Sequence, residues 1–426
     1  MRVSAINHTN SFKISFGAGK CILFTDFDGT FLPQSLRSIY NGSEEEKKSA
    51  VQGFNKYFSD FQDFITKTRN KFEIIITTGR RLNKQDKDGF LPTYQKMKEE
   101  GIKLPNIKEL ITSSGGDIYS FSQNGDINPQ MQISKNHYMK KITGWDNDLI
   151  NKTLKDISKE LNVDYELVDD RGSYKLSLNI SNKSKIDDFY SALKTTLEKK
   201  IKCKVKMGSI NLDDGSKTYG IKLYPLIDGI KLNKSIDTKI ALQTAIQNND
   251  FIVIAGDASN DKEMLNIFNY IKMPNNKKIP TKASEITFDY ILQTKKEIDA
   301  LPIKLLFIKP TQLNNNDAGK LELYSFMQKQ ANLFPEKVSI VDETILHGEN
   351  NFLKEIKKSI KNYAEKNQTF KEEWKNILNS NIMTKQPDAH RKNIIFFVIS
   401  AITLLGIGIY KKFFANQPYL FSENKK

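Results

Sequence analysis

The sequence contains few cysteines and histidines for a chain of its length. Only 2 cysteines, Cys21 and Cys203, and 4 histidines occur among 426 residues. Two widely separated cysteines argue against a disulfide framework and indicate a reducing compartment. The scattered histidines show no spacing typical of a zinc site or a histidine-based catalytic triad. Neither cysteine is therefore a candidate site residue, and each histidine is expected at the surface or in the core and not as a ligand.

The sequence also lacks the signals of a secreted or nucleic-acid-binding protein. The first 19 residues contain no apolar segment of the kind found in a secretory signal, and we interpret residues 1–19 as an N-terminal tail. The net charge is +15, but lysines are mixed with acids, as in residues 44–48. Because no basic stripe alternates with aromatic residues, we expect no nucleic-acid partner.

One long uncharged segment is present near the C-terminus. Residues 394–410 carry no charge and are flanked by Arg391-Lys392 and Lys411-Lys412. At helical rise this segment spans about 26 Å, which is close to the lower limit for crossing a bilayer. The basic flanks favour a transmembrane helix over a buried core helix. We expect a membrane-anchored protein whose preceding domains lie in the cytoplasm.

An acidic pentapeptide, Asp26-Phe27-Asp28-Gly29-Thr30, directly follows the apolar segment Cys21 to Thr25. Such a pair of carboxylates at the end of a buried strand can present an anionic oxygen to a phosphoryl group and a divalent cation. Asp and Gly are also common in ordinary turns after strands. The pentapeptide alone therefore leaves both interpretations open.

Later segments repeat the pattern of an apolar strand followed by polar residues. A helix with a Ser43–Glu46 capping box leads into the strand from Phe72, which stops at Thr78-Gly79-Arg80, and the strand Phe251 to Ala255 precedes Gly256 to Asp261. Apolar strands alternating with helices predict an α/β fold with a parallel sheet, whose sites lie at the carboxyl ends of the strands. We therefore expect the acids and Thr78 at one edge of the sheet.

The domain organisation follows from changes in this pattern. Residues 20–116 and 229–305 predict the parallel-sheet core, whereas the helices and alternating strands of residues 117–228 predict an inserted α+β domain. Residues 306–390 predict a helical extension or linker that precedes the transmembrane segment.

Phosphoryl transfer requires a nucleophile, an acid for the leaving group and positive charge around the phosphoryl oxygens. Carboxylates around a Mg²⁺ ion and a nearby lysine would meet these needs, and Lys234 lies just before the helix that leads to the Asp257 strand. Lys239 is the alternative lysine.

Four segments in this order resemble the motifs of the haloacid dehalogenase superfamily of phosphatases: Asp26 to Thr30, Thr78 to Arg80, a lysine, and Gly256 to Asp261. Further segments resemble the subfamily IIB with a large α/β cap, particularly its sucrose-phosphate phosphatase-like members. These segments are Ile111 to Tyr119, Gly144-Trp145-Asp146 and Tyr174 to Ser177. The resemblance covers about residues 20 to 300.

The resemblance implies a role for each motif residue. Asp26 would attack phosphorus to form an aspartyl-phosphate, and Asp28 would protonate the leaving oxygen and then activate water. Thr78 and Lys234 would hold the phosphoryl oxygens. The implied Mg²⁺ ligands are Asp26, the Asp28 main-chain carbonyl, Asp257 and Asp261, supported by Gly29 and Asn260. Lys234 departs from the family pattern, since the Ile-Ala-Leu sequence that resembles the family's helix start follows Lys239 instead.

The inserted domain is expected to cover the site as a cap and to select the leaving group. Gly79, Arg80, Lys175 and Ser177 are predicted to bind substrate, because guanidinium and ammonium groups suit anions and hydroxyls suit sugars. Trp145 is expected to pack inside the cap, with stacking on a sugar as the alternative. The leading hypothesis is a Mg²⁺-dependent phosphatase for a sugar phosphate or similar small phosphomonoester. The alternative is a membrane-tethered scaffold that keeps this fold for binding.

Overall fold

The computed structural model describes most of the chain up to residue 383. The described residues are 19–34, 41–80, 82, 89–112, 115, 117–121, 143–168, 174, 176–211, 216–227, 230–231, 233–273, 278–309, 318–343 and 350–383. The chain divides into two compact units, residues 1–375 and 376–426. Within the described part of the second unit, the chain turns after a helix, where the Ser380 amide donates to the Ile377 carbonyl.

A membrane-spanning helix is not found among the described residues, since none of their helices is both long and apolar enough. The predicted span, residues 394–410, lies outside the described residues. It therefore stays a prediction.

A seven-stranded sheet forms the centre of the first unit. Its strands are β1 (Cys21–Asp26), β4 (Phe72–Thr77), β5 (Glu109–Thr112), β6 (Asp117–Ser120), β12 (Phe251–Gly256), β13 (Ile303–Lys309) and β14 (Val338–Asp342). Their order is β14-β13-β12-β1-β4-β5-β6, and every neighbouring pair is parallel except the antiparallel pair β5 and β6. The predicted α/β fold with a parallel sheet is confirmed.

A parallel sheet is covered on both faces, and its central strands are therefore largely apolar. All six residues of β1 and of β12 are buried. The helices of this unit include α1 (Glu44–Lys67), α2 (Phe90–Glu99), α5 (Ser235–Asn248), α6 (Lys262–Leu265), α7 (Phe288–Ala300) and α8 (Ala318–Leu333). The predicted capping box begins α1, since the Ser43 hydroxyl accepts from the Glu46 amide and Glu46 accepts from the Ser43 amide.

A second sheet lies between β6 and α5 along the chain. Its strands are β7 (Tyr165–Leu167), β8 (Leu176–Ile180), β9 (Cys203–Asn211), β10 (Lys217–Ile227) and β11 (Ile230–Lys231), all paired antiparallel. Alternate residues such as Leu176, Leu178 and Val205 pack with helices α3 (Asn147–Leu161) and α4 (Ile186–Lys200) in one apolar core. Trp145 is buried in that core, where its indole N–H donates to the Asn147 side chain. The two short strands β2 (Asp28–Gly29) and β3 (Leu32–Pro33) pair separately.

The predicted end of the core at residue 305 is wrong, because the main sheet continues through β13 and β14. β14 is a five-residue edge strand with two half-buried positions and one exposed one, so its apolar signal in the sequence is weak. Lys304 interrupts the apolar sequence of β13, yet it is buried because its ammonium donates to the Pro335 and Glu336 carbonyls. The region predicted as a helical extension from residue 306 thus contributes strands to the core.

The last two helices of the described residues, α9 (Asn351–Lys366) and α10 (Gln368–Leu378), cover the start of the central strands. The Tyr363 ring stacks on Phe251 of β12 at 4.4 Å between centroids. The indole N–H of Trp374 donates to the Gly19 carbonyl at 2.6 Å, immediately before β1. Because these contacts lie at the amino-terminal ends of the strands, the opposite edge of the sheet is left for the site.

Candidate active site

The motif residues lie at the carboxyl ends of three neighbouring strands. Asp26 is the last residue of β1 and pairs in register with Thr77 of β4, so that Thr78 extends one position beyond it. On the other side Thr25 pairs with Ala255, and Asp257 directly follows the end of β12. Parallel pairing in this register therefore brings segments that are far apart in sequence to one edge.

Three carboxylates form a compact buried cluster at this edge. One carboxylate oxygen each from Asp26, Asp257 and Asp261 lies within 4.8 Å of the others. All three residues are buried, and Asp261 is fully so. Hard carboxylate oxygens are the donors that Mg²⁺ prefers, so these residues fit a divalent cation.

Lys234 completes the cluster with a positive charge. Its ammonium donates to Asp26 Oδ1 at 2.5 Å and to Asp261 Oδ1 at 2.7 Å. A turn places the lysine there, since the Asn233 side chain accepts from the Ser235 amide at 2.8 Å at the start of α5. Lys239 lies further along α5 and is half-buried. The structure therefore brings Lys234, and not Lys239, to the acids.

The electrostatics of the cluster follow from burial and mutual charge. Burial and the Asp261 carboxylate raise the pKa of Asp26, Lys234 opposes that rise, and Asp257 adds to it. For Lys234, burial favours the neutral amine, but Asp26 and Asp261 overcome this effect and raise its pKa above the ordinary value. Lys234 is therefore a firmly charged ammonium among acids that gain from a further cation.

The loop after β12 is fixed by Asp261. Its Oδ2 accepts from the amides of Asp257 and Ala258, both at 3.2 Å. A Cβ at position 256 would lie only 2.7 Å from the Asp261 Cβ, so glycine is the residue that fits there. Asp261 thus holds both Lys234 and the backbone that carries Asp257.

The turn after β1 is fitted against Asp257. Gly29 has φ +82°, and a Cβ at this position would overlap the Asp257 carboxylate. The Thr30 hydroxyl donates to Asp257 Oδ1 at 2.7 Å. Thr30 is therefore a site residue that the sequence reasoning missed, although it lies in the acidic pentapeptide itself.

Asp28 faces a different partner from Asp26. The Arg80 guanidinium donates from Nε to Asp28 Oδ2 at 2.6 Å and from Nη2 to Oδ1 at 3.0 Å. Its Nη1 donates to the Thr93 hydroxyl of α2 at 3.0 Å. Arg80, predicted to bind substrate, thus contacts the predicted acid–base residue, and Thr93 is a second residue that the sequence reasoning missed.

The other residues that were predicted to bind substrate or to support the site do not all lie beside the acids. Thr78 is buried and its hydroxyl accepts from the Arg80 amide at 3.2 Å, with Gly79 in the turn between them. Ser177 is buried in β8 of the second sheet, in register with Lys222 of β10. Lys175 lies outside the described residues. Asn260 is exposed, and its predicted support of the Mg²⁺ ligands stays a prediction.

The parallel core sheet, the inserted domain and the gathered acids and lysine agree with the fold and the site that the resemblance to the haloacid dehalogenase superfamily implies. No protein-family model matches the chain, and no curated protein matches it in sequence.

The chain is similar to several solved structures, among them two hydrolases of bacterial origin and a nucleotidase. A haloacid dehalogenase-like hydrolase from Bacillus subtilis shares 16% identity over 59% of this chain and 79% of its own, with a TM-score of 0.34. The sucrose-phosphatase of Synechocystis sp. PCC6803, solved with sucrose and phosphate, shares 18% identity over 57% and 77%, with a TM-score of 0.30. A C-terminally truncated IMP-nucleotidase of Plasmodium falciparum shares 13% identity over 74% and 72%, with a TM-score of 0.30.

Proposed function

We propose that this protein is a Mg²⁺-dependent phosphatase that hydrolyses a sugar phosphate or a similar small phosphomonoester through an aspartyl-phosphate. The observation that supports this function best is the buried cluster of Asp26, Asp257 and Asp261 around the Lys234 ammonium. Burying three carboxylates together is unfavourable for folding unless other groups compensate for it. Such a cluster is typical of a site that binds a cation and an anionic substrate.

The residues divide the reaction into two steps. In the first, an Asp26 carboxylate oxygen forms a bond to phosphorus while the bond to the leaving oxygen breaks, and Asp28 supplies the proton that the leaving alcohol needs. In the second, water attacks phosphorus, its proton passes to Asp28, and the bond between phosphorus and Asp26 breaks. Inorganic phosphate leaves, and Asp26 is again a carboxylate.

Charge in the site is balanced by Lys234 and by the cation. The Lys234 ammonium, which lies 2.5 Å from Asp26 Oδ1, is placed to neutralise a phosphoryl oxygen that approaches this carboxylate. Mg²⁺ held by Asp26, Asp257, Asp261 and the Asp28 carbonyl would reduce the repulsion between the nucleophile and the phosphate dianion. The hydroxyl of Thr78, at the end of the neighbouring strand, would donate to a further phosphoryl oxygen.

Release of inorganic phosphate from a panel of substrates tests this function. The panel contains sugar phosphates, nucleoside monophosphates and p-nitrophenyl phosphate, each assayed with Mg²⁺ and with a chelator in excess. We expect release from at least one ester, with loss on chelation and recovery when Mg²⁺ is restored. The ranking of the esters assigns the leaving group that the cap accepts.

The Asp26→Asn variant tests whether Asp26 is the nucleophile. Asparagine keeps the size of the side chain and its Oδ1 acceptor for Lys234, but its amide is a poor nucleophile. We expect phosphate release to fall at least 1,000-fold, on the scale found when a nucleophile is removed. Unchanged turnover would refute the assignment of Asp26. If the wild-type protein hydrolyses no ester on the panel, the scaffold alternative is favoured.

We also propose that the predicted helix at residues 394–410 anchors the enzyme to a membrane, with its catalytic domain in the cytoplasm. The support is the uncharged sequence with basic flanks on both sides. The full-length protein should fractionate with membranes, and a protein that ends near Gln386 should not. If both fractionate alike, the anchor is disproved.

A further inference from the structure

We infer that Arg80 is a positioning residue that orients Asp28 for hydrolysis of the aspartyl-phosphate, instead of a substrate ligand. This inference rests on the proposed phosphatase function and deepens it. It starts from the side-chain contacts that join Asp28 to α2 through Arg80 and Thr93.

The contact between Arg80 and Asp28 is bidentate. Nε and Nη2 of Arg80 each donate to a different oxygen of the Asp28 carboxylate, at 2.6 Å and 3.0 Å. Two parallel hydrogen bonds fix the plane of a carboxylate as well as its position, which a single bond cannot do. The Asp28 carboxylate is therefore held in one orientation, while its side chain stays 27% exposed and accessible to water.

Arg80 is itself held by the protein. Its Nη1 donates to the Thr93 hydroxyl at 3.0 Å, and that hydroxyl donates to the Gly89 carbonyl at 2.9 Å. At least three of the five guanidinium N–H donors are thus used within the protein. An arginine constrained in this way serves better as a rigid support for Asp28 than as a mobile ligand for a phosphate.

The backbone around this contact is also anchored. Phe27, between the two aspartates, packs on Phe90 of α2 with ring centroids 4.9 Å apart, and Phe90 stacks on Tyr94. The first turn of α2 therefore supports both the backbone of the acidic pentapeptide and the arginine that holds Asp28. The α2 helix has no other assigned part in the reaction.

The two chemical steps depend differently on the orientation of Asp28. With p-nitrophenyl phosphate, Asp26 bonds to phosphorus and p-nitrophenolate leaves with the electron pair, and this leaving group needs no proton. The following hydrolysis still requires Asp28 to accept the proton of the attacking water. A misplaced Asp28 should therefore slow the second step and spare the first.

Rapid-mixing kinetics of the full chain with p-nitrophenyl phosphate and Mg²⁺ separates these steps. In Arg80→Gln we expect the burst of p-nitrophenolate to stay within about 3-fold of wild type while the steady-state rate falls about 30-fold or more. Arg80→Lys keeps the positive charge but cannot form the bidentate contact with Asp28. Its steady-state rate should therefore lie between those of Arg80→Gln and the wild type. If the steady-state rate is unchanged and KM rises, Arg80 binds substrate and the inference is wrong. An equal fall of burst and steady-state rates also contradicts it.

A second pair of variants covers the case in which Arg80→Gln does not fold. Thr93→Val removes the hydroxyl that holds Nη1, whereas Thr93→Ser keeps it. We expect the Val variant to show a steady-state rate about 3- to 10-fold lower with a normal burst, and the Ser variant to behave as wild type. Identical kinetics of the two would contradict the inference. The wild-type burst and the loss of activity in Asp26→Asn test the proposed phosphatase function without any change at Arg80 or Thr93. Failure of that function can therefore be distinguished from failure of the inference about Arg80.

Discussion

The Lys234 ammonium donates to the Asp26 carboxylate at 2.5 Å, although the two residues are 208 positions apart in the chain. It also binds Asp261, so one lysine joins the end of β1 to the loop after β12. No other described lysine contacts Asp26 through a hydrogen bond, which gives Lys234 a role that the sequence alone left open between two candidates.

Replacing Lys234 is therefore expected to affect catalysis far more than replacing Lys239. Lys234→Met keeps an unbranched side chain that is one atom shorter, but it leaves the buried carboxylates without their partner, so kcat should fall at least 100-fold. Lys239→Met should change kcat less than about 3-fold. Steady-state phosphate release by both variants measures the difference, and a greater loss in Lys239→Met would reverse the assignment.

Two glycines with nearly the same backbone conformation form a matched pair. Gly29 has φ +82° and would place a Cβ against the Asp257 carboxylate, whereas Gly101 has φ +79° and no atom within 4 Å of that position. The free energy of unfolding of Gly101→Ala should thus be lower by only about 1 kcal/mol, which is the conformational cost of alanine at positive φ. Gly29→Ala should lose more stability and also require a several-fold higher Mg²⁺ concentration for half-maximal activity.

Thermal unfolding and a Mg²⁺ titration of activity measure these two effects separately. Displacement of Asp257 is the physical reason for the second effect, so Gly101→Ala should leave the Mg²⁺ requirement unchanged. If both variants shift the Mg²⁺ requirement equally, the fit between Gly29 and Asp257 is not what limits cation binding.

Asp250, at the opposite edge of the sheet, should make stability depend on pH. Burial raises its pKa to about 6, against the hydrogen bond that its Oδ1 accepts from the Lys20 amide. Because the folded pKa lies above the unfolded value of about 3.9, ionised Asp250 destabilises the folded state above pH 6, and this penalty disappears as the pH falls toward 4.

Asp250→Asn should remove that penalty and keep the acceptor for Lys20. We expect the variant to be more stable than wild type by about 1–2 kcal/mol at pH 8 and nearly equal to it at about pH 4.5. Denaturant unfolding of both proteins at the two pH values provides the measurement. A variant that is less stable at both would show that the carboxylate charge is favourable where it lies.

The C-terminal helices are expected to be essential for the stability of the core. Trp374 is fully buried, so Trp374→Ala should lose about 3–5 kcal/mol through the cavity it leaves. Trp374→Phe keeps most of the ring contacts with Phe370 and loses mainly the hydrogen bond to Gly19, at about 1–2 kcal/mol. Equal unfolding midpoints for wild type and the Ala variant would disprove this role.

The sequence allowed the central strands of the sheet to be predicted, because strands that are buried on both faces leave a continuous apolar segment. β1 and β12 are recognisable because both of their faces are buried and every residue is apolar or small, up to the acids that end them. Parallel pairing then requires Asp26 and Asp257 to lie at the same edge. These strand-end acids could therefore be located from spacing and residue type alone.

Other features depend on contacts that leave no periodic signal. The fork between Arg80 and Asp28 joins residues 52 positions apart through side-chain reach, and a Thr-Gly-Arg turn is equally compatible with an arginine that binds substrate. β14 was missed because a short edge strand is only partly buried. The contact of the Thr30 hydroxyl could not be predicted, since its partner Asp257 lies 227 positions away.

The order of the strands has a consequence for synthesis of the protein. β1 lies at the centre of the sheet, but its neighbour β12 begins only at Phe251, and Trp374 near the end of the described chain caps the start of β1. At roughly 5–20 residues per second, the ribosome needs on the order of 10–50 s to make β12 after β1. During that time one edge of β1, whose first four residues are apolar, has no partner, so we expect the nascent chain to require chaperones until α10 emerges.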